Sequence, residues 1–213
     1  MKIQTEQYRS QLQRWPAAGR HILAQFDADT VLVYQAYRPA IGRFAAEHQR
    51  FGGEFSFGRM SWIKPNFLWM MYRSGWGTKE GQEITLAVRL RRLAFDEILR
   101  RAVYSSYVPE VYGSPENWKA RLAESPVRLQ WDPDHDPCGA KQERRAIQLG
   151  LAGEVVKQYA SDWIVSIEDI SEFVAEQRTN AGAEGLANLL TPREDIYRIS
   201  DAEVAMRLGV SQT

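Results

Sequence analysis

The sequence predicts an α+β fold, a single domain in which a split sheet of mixed or antiparallel strands is flanked by short helices. Two observations lead there. About six runs rich in β-branched and aromatic residues alternate with short amphipathic segments, and those segments are too short and irregular for regular βαβ crossovers. The 213 residues, 44% apolar and 25% charged, suffice to bury one substantial core without metal or disulfide support. The expected division is an N-terminal arm over 1–20, a core domain over 21–170 and an acidic helical extension over 171–213.

Residues 1–20 are polar and read as a loose arm, with at most a short helix before Pro16. Asp27 to Thr30 is a turn signal, and Val31–Tyr37 is a buried strand. Alternation puts Gln35 and Tyr37 on one face of it and Tyr34 and Ala36 on the other. Pro39 ends the strand and suits a first helical turn, so AIGRFAAEHQRF continues as a helix up to Gly52-Gly53. Arg59–Ile63 reads as a strand broken by Lys64-Pro65. Asn66–Arg73 follows as a helix apolar nearly all round, hence buried, and Gly75 and Gly77 close it.

EITLAVRLRR alternates as a strand with its arginines on one side, and Leu93–Arg101 is a short amphipathic helix. A helix starts at the Ser114-Pro115 cap, and Val127–Trp131 is a strand. DPDHDPCGA, with two prolines and a glycine, reads as an acidic loop. Arg145–Leu151 is a strand, Ala152–Tyr159 a helix and Trp163–Ile170 a strand. Helices are expected over Ile170–Thr179, over Ala183–Leu190, and from Ser200 or Asp201 to Gly209.

Composition excludes several classes. The single cysteine, Cys138, rules out an internal disulfide and a cysteine-rich metal site. No apolar run reaches the roughly 18 residues of a membrane span, and the first residues lack a secretory apolar stretch. A cytoplasmic protein with no membrane association is expected. Net charge is zero, yet Arg38–Arg101 holds 12 basic and 6 acidic residues and Gly150–Thr213 holds 5 and 11. Two solvated faces that happen to differ would give this pattern, and so would a basic cleft for an anionic ligand.

Nucleotide-loop, dinucleotide, zinc-protease and serine-hydrolase motifs are missing. DPDHDPC alternates oxygen donors but lacks the glycine and closing glutamate of a calcium loop, so a solvated surface loop is the better reading and no metal is expected. What stands out is RMSWIKPNFLWMMYRSGW, Arg59 to Trp76, with three tryptophans among two arginines and a lysine. Each aromatic taken alone reads as core packing. Interleaved with fixed cations, the set reads as a floor that stacks a planar ligand and neutralises its phosphates. Candidate ligand residues are Gln35, Tyr37, Arg59, Trp62, Lys64, Trp69, Tyr72 and Arg73. Gln148, mid-strand in RAIQLGL, is either a hydrogen-bonded core amide or a group shown to a ligand.

VYQAYRPAIGRFA (Val33–Ala45), MSWIKPNFLWMMYRSGWGTK (Met60–Lys79), VRLQWDPDHD (Val127–Asp136) and AIQLGL (Ala146–Leu151) resemble the family called domain of unknown function 4291, from about His21 to Ile170. The order of elements is also similar to the ADP-ribosyltransferase superfamily, whose members grip NAD in a split sheet with one polar residue from each of three strand motifs. That resemblance implies an ADP-ribosyltransferase-like fold, NAD as substrate, and an acceptor that stays open, with nucleic acid and protein as the candidates. It implies motifs at Tyr34–Arg38, at Arg59–Lys64 with Ser61 as the hydroxyl, and at Ala146–Leu151. Arg38, Ser61 and Gln148 would be the catalytic residues. Gln148 stands where many members carry a glutamate, which weakens support for the ribosyl cation formed as nicotinamide leaves. Two other readings stay open: a non-catalytic nucleic-acid-binding domain that stacks bases on Trp62, Trp69 and Trp76, and an interaction protein docking through its acidic tail.

Overall fold

In the computed structural model, which describes residues 3–211, the chain opens with strand β1 (Thr5–Gln7) and helix α1 (Tyr8–Leu12). Short strands β2 (Gly19–Arg20) and β3 (Leu23–Ala24) lead to β4 (Thr30–Tyr37) and α2 (Pro39–His48). Next come β5 (Ser61–Ile63), α3 (Phe67–Ser74), β6 (Ile84–Arg91), α4 (Arg92–Arg101), β7 (Val103–Tyr104), α5 (Pro109–Tyr112) and α6 (Pro115–Glu124). The chain continues through β8 (Val127–His135), β9 (Lys141–Leu151), α7 (Gly153–Ala160), β10 (Ile164–Asp169) and α8 (Ser171–Arg178). It closes with β11 (Leu190–Pro192), β12 (Asp195–Ile196) and α9 (Ala202–Arg207).

Two sheets carry the architecture. One is the antiparallel trio β10-β6-β4. In the other, β9 pairs with β8 along one edge, while its second edge meets β5 at Leu149–Leu151 and β2 at Arg144–Arg145. Between those contacts the second edge carries no strand, and Gln148 lies in that gap. The sheets touch through one antiparallel bridge, Tyr34 with Lys64, whose amides donate to each other's carbonyls at 2.7 and 3.2 Å. The fold is thus a mixed α/β arrangement of several sheets with nine helices among the described residues.

Alternation on the strands divides the apolar side chains between two cores. Val31, Val33, Leu86, Val88 and Leu90 meet Val127, Leu129, Ile147, Leu149 and Leu151 across the larger core, with α4 and α7 closing it. Leu32, Tyr34 and Ala87 point the other way, onto Phe67, Leu68, Met70 and Met71 of α3. Helix α3 is therefore buried, as its all-round apolarity predicts. Asn66 caps it by accepting from the Trp69 amide at 2.7 Å, and Gly75 ends it at φ 59°, a left-handed conformation that glycine adopts without penalty.

Several expectations are corrected. The N-terminal arm is not loose within its described part: β1 pairs with β11, Tyr8 and Trp15 are buried, and Gln11 is wholly enclosed. The extension is not simply helical, because residues 183–188 form turns ahead of β11 and β12, and the latter pairs with β3. Residues 1–2 and 212–213 of these two segments lie outside the described residues. Asp132–His135 continues β8 instead of forming a loop. Pro133, which has no amide to give, sits beside a register shift, where a strand tolerates it. Helix α2 stops at His48, with Gln49 left-handed at φ 55°, short of the glycine pair.

Candidate functional site

A cleft of about 790 Å³ opens where the two sheets part, within the ~300–1,000 Å³ range of small-ligand sites. Its walls come from the end of β4, the loop before β5, β5 itself, α3 and the unpaired edge of β9. The backbone bridge at Tyr34 and Lys64 pins the floor.

On one wall, Gln35 and Tyr37 share a face, as alternation requires. The Gln35 amide donates to Tyr37 Oη at 2.8 Å, to Ser61 Oγ at 2.8 Å and to the Trp62 carbonyl at 3.1 Å. Its oxygen accepts from the Tyr159 hydroxyl at 2.5 Å. Tyr37 Oη and Ser61 Oγ lie 2.9 Å apart. This buried amide is fully partnered, so it holds Ser61 and Tyr37 in fixed positions. Burial raises the pKa of both Tyr37 and Tyr159 and keeps both phenols neutral.

On β9 and β8, Gln148 donates to Asp132 Oδ2 at 2.7 Å, and Gln130 donates to Asp132 Oδ1 at 2.8 Å. Antiparallel pairing of Gln130 with Gln148 sets all three on one face. Trp62 lies on that face too. It presses so closely on the β9 backbone that a Cβ at Gly150 would stand 3.0 Å from its ring and 2.6 Å from Met60 Sδ. Only glycine permits that approach.

Arg38, Arg59 and Arg73 stand exposed around the mouth, and Arg38 pairs with Glu54 at 2.5 Å. Lys64 is different. It lines the cleft yet is 4% exposed, and among the described residues its ammonium has neither hydrogen bond nor ion pair. Burial first, and the Arg73 guanidinium second, push its pKa down to about 8 against the attraction of Asp132. Such a group holds an anion when charged and acts as a nucleophile when neutral.

Nine of the eleven residues named from sequence thus line one cleft: Gln35, Tyr37, Arg38, Arg59, Ser61, Trp62, Lys64, Arg73 and Gln148. Trp69 and Tyr72 do not. They stack with His135 on another side of α3, with ring centroids 5.3 and 3.5 Å from it. Trp76 packs against Phe67 and donates to the Pro137 carbonyl. The three tryptophans therefore make no common stacking face: Trp62 is on β5, Trp69 on α3 and Trp76 beyond the end of that helix.

Sequence reasoning passed over Tyr159, Gln130 and the role of Asp132. Asp132 was hidden by its reading as loop, and Tyr159 is 124 residues from Gln35, beyond any local pattern. In DPDHDPC, Asp134 pairs with Arg144 at 2.7 Å, 1% and 5% exposed, while His135 is in the aromatic stack with neither ring nitrogen hydrogen-bonded among the described residues. No helix among the described residues is long and apolar enough to cross a membrane.

No curated protein matches the chain. A family model, however, matches residues 21–197, a span holding every residue of the cleft and both main sheets except β2. The chain belongs to the family described as Domain of unknown function (DUF4291).

Proposed function

We propose that the cleft binds NAD and transfers its ADP-ribose to a protein or nucleic-acid acceptor, on an ADP-ribosyltransferase-like split sheet. The observation that carries the reading is Lys64, a buried lysine whose ammonium makes no ion pair among the described residues, in a cleft ringed by three arginines. Such a site is complete only with an anionic ligand, since a buried charge without a partner is costly.

Arg38, Arg59 and Arg73 at the mouth suit a pyrophosphate, which guanidinium groups grip in pairs of hydrogen bonds. Trp62 and Tyr37 offer flat walls to a base or nicotinamide. Ser61 and Gln148, from the neighbouring strands β5 and β9, are assigned to the ribose. Asp132, held by Gln130 and Gln148, supports the reading further. It sets a carboxylate one hydrogen bond behind the position where a glutamate would stand, and so offers charge to a developing ribosyl cation. The nucleic-acid alternative keeps only Trp62 of its three stacking faces beside the cleft.

Thermal unfolding with and without NAD tests this. At about 100 times its dissociation constant a ligand adds roughly 2.7 kcal/mol, read as a rise of several degrees. The Arg73→Ala and Gln148→Ala variants are expected to lose most of that rise while keeping their own transition. A wild-type chain whose Tm does not move at millimolar NAD would remove the proposal.

A further inference from the structure

The arginines at the mouth suffice for phosphates, which leaves the purpose of Lys64 open. A lysine kept only for charge is expected to reach outward on its flexible stem. This one is held inward. Its backbone is clamped on both sides by the Tyr34 bridge, Pro65 follows it, and the next residue is the Asn66 cap of α3. Its side chain is nine-tenths buried, unpartnered and set in the cleft floor, on the side of the carboxylate held by Gln148. Nothing in the fold needs an amine there: a Met or Leu would fill the same space without desolvating a charge.

We infer that Lys64 is a nucleophile that bonds to the anomeric carbon of the ribose next to nicotinamide, giving a covalent ADP-ribosyl-lysine. The inference rests on the cleft taking NAD. In the step, the lone pair of neutral Nζ forms the Nζ–C1 bond. The C1–N bond to nicotinamide breaks, and its electron pair leaves with nicotinamide and cancels the charge on that ring. The proton then carried by the secondary ammonium is released to solvent through the open mouth, restoring a neutral glycosylamine. No oxidation or reduction is involved. Ring opening of this N,O-acetal breaks the bond from C1 to the ring oxygen, which takes the Nζ proton, and gives an imine to Lys64, which water hydrolyses or an acceptor amine exchanges. The depressed pKa agrees with this use, because at pH near 8 about half the amine is free to attack.

The test is mass spectrometry of the intact chain after incubation with NAD at pH 8 and quenching with borohydride, which reduces the imine to a stable amine. Peptide mapping then locates the addition, and the NAD-dependent Tm is measured in parallel. The expected result is one ADP-ribose added to wild type, mapped to Lys64. The Lys64→Arg variant, cationic but not nucleophilic, and the Lys64→Met variant should show no addition. Should Lys64→Arg fold poorly, mapping in wild type decides alone. A Tm rise with NAD but no adduct at Lys64, or an adduct confined to other lysines, would overturn the nucleophile and leave NAD binding standing. Neither rise nor adduct would overturn both.

Discussion

Lys64 as a residue is 4% exposed, its ammonium makes no ion pair among the described residues, and its pKa is lowered to about 8 from the usual lysine value. That depression of about 2.5 units corresponds to about 3 kcal/mol of lost stability. The sign follows from proton counting. Between pH 10.5 and 8 the unfolded chain binds a proton that the folded chain refuses, so stability falls as pH falls through that window and stays low beneath it. Lys64→Met is therefore expected to unfold at higher urea at pH 7, by up to about 3 kcal/mol. The gain should shrink above pH 8 and disappear near 10.5. A Lys64→Met chain less stable than wild type at pH 7 would mean that the ammonium has a partner.

At the scale of elements, α3 depends on a buried carboxylate. Glu194 is 1% exposed, accepts from the Phe67 amide at 2.6 Å and from Asn66 Nδ2 at 3.2 Å, and sits at the positive end of the helix. Burial, its largest influence, raises its pKa well above the ordinary carboxylate value. A raised carboxylate contributes stability that is complete below the unfolded pKa near 4.5 and is lost as pH rises towards the folded one. Wild type is thus expected to weaken with rising pH relative to Glu194→Gln, by at most about 1.4 kcal/mol per pH unit for one proton. Urea unfolding of both chains across pH 5 to 9 checks it, and parallel curves would show that Glu194 stays ionised in the fold.

Helix α3 itself was legible, because its cap, its glycine stop and its apolar run agree. So was β4, where the 2-residue period sorts Gln35 and Tyr37 from Tyr34. What failed depended on distance. Pro133 and three aspartates mark a loop by composition, yet pairing with β9 and the Arg144 ion pair hold a strand there. Trp69 and Tyr72 belong to the right helix but to its wrong side for the cleft, a matter set by packing against His135. Tyr159 reaches Gln35 only after the chain has folded back on itself.

For the whole molecule, the first residues are a clasp more than an arm. Gln11 donates to Thr191 Oγ1 at 2.8 Å and accepts from the Glu194 amide at 2.7 Å, while Trp15 Nε1 donates to the Glu194 carbonyl at 2.8 Å. Arg144, paired with Asp134, also donates to the Pro16 carbonyl at 2.7 Å and lies 5.2 Å from the Trp15 ring. One chain of contacts therefore runs from the N-terminal segment through Glu194 to the cap of α3, one residue from Pro65 and two from Lys64. The family match begins at residue 21, after this clasp. Trp15→Ala removes a buried indole and is expected to cost about 3–5 kcal/mol. Residues 17–213 alone lose in addition every bond of Gln11 and the carbonyl that Arg144 needs, and are expected to show no cooperative thermal transition by circular dichroism. If that shortened chain melts at the wild-type temperature, the clasp is ornamental to stability, and the cleft is positioned by the two sheets and the Tyr34–Lys64 bridge alone.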